Sequence, residues 1–169
     1  MPVTINGDGT ITGASIIQPL FFGIQDTDQS IPSNSTAFTK LTNFSTGAVT
    51  LNTGSSWNAS TGRFTVASGQ AGTYKIIGVG RLTNLRRQNT MRVGISKNGA
   101  TPTFYMDEIT RHNNSPNARW ETQTAPVIQI MTLAVGDYVE LMMYNGDGSA
   151  QDTAKEGTYF SGYRISELN

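Results

Sequence analysis

The chain has 169 residues, about one domain's worth, and folding at that size buries about 70% of the unfolded chain's surface, so neither a disulfide nor a structural metal is needed. Gly, Ser, Thr and Asn make up about 40% of it against 14% charged residues, which suits turn-rich β structure and argues against helical bundles and coiled coils. Twelve cations balance twelve carboxylates and cysteine is absent, so composition excludes general nucleic-acid binding, disulfide scaffolds and thiol chemistry.

Residues 1–19 read as a leader. Its start, Met1-Pro2-Val3-Thr4-Ile5-Asn6, has no basic region followed by an apolar stretch, so no secretory signal is expected. Thr4-Ile5 and Ile11-Thr12 flank an Asn6-Gly7-Asp8-Gly9 core, whose residues tolerate the positive φ of a tight hairpin turn. A lone hairpin is unstable. Ile5, Asn6, Asp8 and Ile11 are therefore expected to lie against the chain's own domain, a sister subunit or a foreign surface.

Residues 20–169 form the second unit, in which short strands alternate with turn signals as in a sandwich or barrel. Strands are expected near 20–25, 37–44, 49–52, 63–67, 73–82, 91–97, 103–109, 119–133 (broken near Pro126), 137–144 and 158–165. No helical pattern intervenes, and no apolar run approaches the ~20 residues of a membrane-spanning helix. The fold class is all-β.

Two of these strands are apolar on both faces. Alternation along 137–144 puts Val139, Leu141 and Met143 on one side and Tyr138, Glu140, Met142 and Tyr144 on the other. The segment 127–133 has Ile128 and Ile130 at one parity and Val127, Met131 and Leu133 at the other. Either both faces are covered within one subunit, or one face is an interface. On the second reading Tyr138, Met142, Tyr144, Ile128 and Ile130 form a subunit contact, since large apolar patches rarely stay open to water.

Six segments taken in order resemble the complement globular-head and tumour-necrosis-factor-like superfamily. They are Asp28-Gln29-Ser30-Ile31-Pro32 leading to Phe38-Thr39-Lys40-Leu41, Ser60-Thr61-Gly62-Arg63-Phe64, Ala71-Gly72-Thr73-Tyr74, Met91 to Gly99 ending in Lys97-Asn98-Gly99, Val135-Gly136-Asp137-Tyr138-Val139-Glu140-Leu141, and Phe160-Ser161-Gly162-Tyr163. The resemblance covers about 20–167 and implies a ten-stranded jelly roll assembled as a homotrimer, with no active site. The string from Thr4 to Gly13 resembles a short β motif of structural proteins of tailed bacteriophages. A 19-residue leader reaches at most about 60 Å, enough to cross a neighbour but not to build a fibre shaft. Together these imply a virion component assembled in the host cytoplasm. The expected function is a non-enzymatic capsid decoration (cement) protein that binds the phage major capsid protein or a tail component. The alternatives are a receptor-binding, glycan-holding head of a tail fibre or baseplate, and an extracellular ligand-binding module.

Individual residues add little chemistry. His112 lies in a polar loop with Asp107, Glu108 and Ser115 near in sequence, and neither a held triad nor an oxyanion pocket is visible there. Glu108, Glu121, Glu140 and Asp107 fall on scattered strands without the spacing of a glycosidase acid pair. No cofactor is expected. Calcium is the alternative, with Asp147 and Asp152 as ligands, although no dedicated calcium loop is present. Arg81, Arg86, Arg87 and Arg92 lie in an expected strand–loop–strand connection, with the loop over 83–90, and could grip carboxylates bidentately; Arg86 and Arg87 are the expected partner contacts. Trp120 beside Arg119, with His112 in the preceding loop, marks a second candidate ligand region.

Overall fold

The computed structural model of the chain describes residues 4–5, 11–12, 19–33, 37–45, 56–86, 89–109 and 119–167. In the leader, β1 (Thr4–Ile5) pairs antiparallel with β2 (Ile11–Thr12), Ile5 opposite Ile11. The following strands are β3 (Leu20–Ile24), β4 (Ser30–Ile31), β5 (Thr39–Lys40), β6 (Trp57–Asn58), β7 (Arg63–Thr65), β8 (Gly72–Val79) and β9 (Arg81–Arg86). Then come β10 (Thr90–Lys97), β11 (Tyr105–Ile109), β12 (Arg119–Gln123), β13 (Val127–Leu133), β14 (Tyr138–Asn145), β15 (Gln151–Asp152) and β16 (Tyr159–Glu167), with a 3-10 turn at Lys155–Gly157.

Two antiparallel layers make the body. One has the order β13-β8-β16-β3; the other runs β11-β10-β14-β7-β6, with β5 also paired to β14. Period-two alternation explains the core between them. From the first layer Phe21, Tyr74, Ile76 and Phe160 point inward; from the second come Phe64, Val93, Val139, Leu141 and Met143, and all are buried. Phe21 sits at the centre of an aromatic stack, 4.6 Å from Phe64, 5.1 Å from Trp57 and 5.0 Å from Phe160. Such ring pairs add about 0.5–1.5 kcal/mol each beyond their area.

The segment read as one strand over 73–82 is two. β8 ends before Gly80, and β9 continues to Arg86 through what was expected to be a loop. Gly80 is a close approach, because a Cβ there would collide with Met143 Cε and Val93 Cγ2. Across the junction the Thr124 N–H donates to the Gly80 carbonyl at 3.0 Å, so β8–β9 and β12–β13 pair as one long bent ribbon. Similarly, the strand expected over 37–44 is reduced to Thr39–Lys40 and a bridge between Phe44 and Gln25, interrupted where Asn43 turns to φ +58°. The expected strand 49–52 lies outside the described residues.

Candidate functional site

Three surfaces hold the residues singled out from the sequence. The first is the outer face of the four-stranded sheet. On β13 Ile128 is 47% and Ile130 67% exposed. Their register partners on β8 are Ile77 and Lys75, and Lys75 is in turn opposite Tyr163 of β16, itself 38% exposed. Further along β16, Ile165 is 46% exposed, and at the other edge the Phe22 ring of β3 lies 6.0 Å from that of Tyr159. Lys75 is the one charged residue in this set of positions. Ile77, Tyr163 and Ile165 were missed in the sequence, although Tyr74-Lys75-Ile76-Ile77-Gly78-Val79 carries apolar residues at both parities, the same signal read in 127–133.

The second surface is the outer face of the other sheet, and it is covered differently. The Arg63 guanidinium lies 3.8 Å over the Tyr138 ring and also binds Glu140, with Nη2 2.8 Å and Nε 2.9 Å from Oε1. Lys40 adds a second cation 3.4 Å from the same oxygen. Arg92 lies 5.1 Å from the Tyr144 centroid and 5.0 Å from that of Tyr105, and pairs with Asp107 at 2.6 Å; Phe38 packs on both tyrosines. The single contact surface expected from Tyr138, Met142, Tyr144, Ile128 and Ile130 therefore divides. The first three lie on one side of the sandwich, Tyr138 and Tyr144 beneath the chain's own arginines, and the two isoleucines lie on the opposite side. Arg92 belongs to this sheet face rather than to a loop cluster, and Asp107 is engaged by it.

The third surface is the β9–β12 ribbon. Its register sets Arg119 opposite Arg86 and Trp120 opposite Leu85, a fully buried residue. The two arginines came from separate candidate regions of the sequence, and the backbone joins them. Arg87, His112, Asn6 and Asp8 lie outside the described residues.

Asp147 and Asp152 have different surroundings. Asp147 is buried; its Oδ1 accepts from the Ser149 N–H at 3.0 Å and hydroxyl at 3.1 Å, and its Oδ2 from Asn89 Nδ2 at 2.9 Å. That is loop closure. Asp152 is exposed on β15. Among the described residues no group of three His, Cys, Asp or Glu side chains could hold a metal ion, and no helix is long and apolar enough to cross a membrane.

Two facing antiparallel sheets with this strand order define an all-β jelly roll. The C1q domain matches residues 22–165, and the chain belongs to that family. Its fold is similar to that of Eiger TNF from S. frugiperda at 9% identity and a TM-score of 0.62, over 90% of this chain and 95% of that one. Murine APRIL matches at 11% identity and 0.57, over 88% and 99% of the two chains. The globular domain of the zebrafish complement 1qA protein matches at 15% and 0.56, over 89% and 99%. No curated protein matches the sequence.

Proposed function

We propose that the protein is a non-enzymatic structural module that assembles as a homotrimer through the outer face of its four-stranded sheet and decorates a phage capsid, holding the shell with the 1–19 arm. The observation that carries the assembly is the exposed apolar set on β13 and β16, where Ile128 and Ile130 lie across β8 from Tyr163 and Ile165, with Ile77 and Lys75 on the strand between them. Contiguous apolar patches of this kind mark interfaces rather than solvated surface. The opposite sheet face, capped by arginines and ion pairs, is the one suited to water. The threefold order rests on the superfamily resemblance, and the capsid location on the leader's resemblance to phage structural motifs.

Light scattering on dilute protein tests the assembly. The expected mass is three times 18.2 kDa, and Ile130→Asp should return it to 18.2 kDa with the β circular-dichroism signature retained. A wild-type protein that is compact and soluble at 18.2 kDa overturns the reading. Quantifying the protein on purified particles tests the location, with a copy number on the scale of the coat subunits expected; a handful of trimers per particle would move it to the tail.

A further inference from the structure

We infer that Lys75 fixes how copies of this chain meet: it bars the outer face of the four-stranded sheet from packing against itself and admits only its packing on a different patch of the next copy. The inference rests on the proposed self-assembly through that face and names its specificity-determining residue. The charged side chains of β3, β8, β13 and β16 are Lys75, Arg164 and Glu167. Arg164 is buried and holds Glu167 at 2.8 Å, so those two pair with each other. Lys40, Arg63, Arg92 and Lys97 each bind a carboxylate as well, whereas Lys75 joins no ion pair among the described residues.

Pairing register sets Lys75 in the midst of the apolar set. Its neighbours across the strands are Ile130 of β13 and Tyr163 of β16, and Leu20 of β3 completes that row. The adjacent row runs Ile128, Ile77, Ser161, Phe22 and carries no charge. A twofold contact is self-complementary, so residues near its axis meet their own copies. Two such faces centred on each other would set each Lys75 beside its counterpart in a dry patch. An ammonium withdrawn from water without a partner is strongly unfavourable, and two facing each other are more so. A head-to-tail contact mates the face with a different patch, where the ammonium can meet an acceptor. Head-to-tail contacts whose rotation closes give rings, the trimer among them. A single polar residue on an apolar seam selects oligomer state in coiled coils by the same reasoning, at some cost in stability.

Native mass spectrometry and sedimentation of the full chain at matched concentration test this. Wild type should show one species of three times 18.2 kDa. Lys75→Met and Lys75→Gln remove the charge; each should keep the β circular-dichroism signature while the dimer-to-trimer ratio rises about tenfold or more. Lys75→Arg keeps the charge and should keep the wild-type distribution. Neutral variants that stay wholly trimeric overturn the inference and leave the assembly standing, with Lys75 simply reaching water along its stem. A wild-type dimer overturns it together with the threefold order. Wild type at 18.2 kDa overturns the assembly and the inference with it. Failure of both neutral variants to fold also overturns it, because Lys75 would then serve the single subunit.

Discussion

Asp137 and Asn98 come from different turns and close each other. Asp137 Oδ1 accepts from Asn98 Nδ2 at 2.8 Å, while its Oδ2 takes Lys97 Nζ at 2.8 Å and the Ala134 N–H at 2.9 Å. In return Asn98 Oδ1 accepts from the Tyr138 N–H at 2.9 Å. Asn98 and Gly99 hold φ of +54° and +77°, the pair of positive values a tight hairpin turn needs, and Gly136 holds +89°. The Asn98 amide, then the Lys97 ammonium and the Ala134 N–H, pull the Asp137 carboxyl down to about 2 from its ordinary 3.8. A lowered folded-state value means the charged form is preferred by the native fold. Its contribution is complete above the ordinary value and disappears as pH falls from about 4 to 2. Urea unfolding across that window should show the decline in wild type and a flatter profile in Asp137→Asn. Asn98→Ala, which also loses a residue tolerant of positive φ, should cost about 2 kcal/mol at neutral pH, a melting-temperature drop of about 4–8 °C. The sequence announced both turns through Lys97-Asn98-Gly99 and Gly136-Asp137. It was silent on their joining, because a hydrogen bond across 39 positions leaves no local pattern.

At the level of the strand, alternation told more about whether a face is covered than about what covers it. β14 has Val139, Leu141 and Met143 fully buried on one side, as its period-two pattern requires. Its other side is roofed by Arg63 from β7, Arg92 from β10 and Phe38 beside β5, all from the same chain. β13 has no such roof over Ile128 and Ile130. Both strands looked alike in sequence because the long side chains that shield β14 belong to neighbours fixed only by pairing. Leu141→Ala should cost about 2–5 kcal/mol in chemical unfolding, the range for an emptied core position. Tyr144→Ala, which removes one ring from beneath Arg92, should cost about 1 kcal/mol and leave the solution mass unchanged. Had Tyr144→Ala dissociated the assembly, the mating face would lie on the other sheet. The register that sets Arg119 opposite Arg86 was out of reach for a similar reason: the two positions are far apart in the chain, and only the pairing of β12 with β9 brings them together.

For the molecule as a whole, the all-β class was legible because turn residues recur at short intervals between strands, the jelly roll followed from the family resemblance, and the C1q domain match over 22–165 agrees with the span of the motifs that carry it. Location was less legible, since the surface of any partner would be written in another chain. If the proposed capsid role holds, removing residues 1–19 should leave the body folded with its number of subunits unchanged while abolishing co-sedimentation with capsids; decorated particles formed by the truncated protein would rule out the arm as the grip. One topological fact governs how such a molecule is made. The final strand, β16, is not at the rim of its sheet but between β8 and β3, the strand that opens the body. Until β16 has been made, β3 lacks its partner within the four-stranded sheet, and the sheet is missing a central strand. Completion of this sheet therefore waits on a pairing between strands far apart in the chain, a long and slow closure, and the exposed face shared by β13, β8 and β16 is whole only once β16 has slotted in.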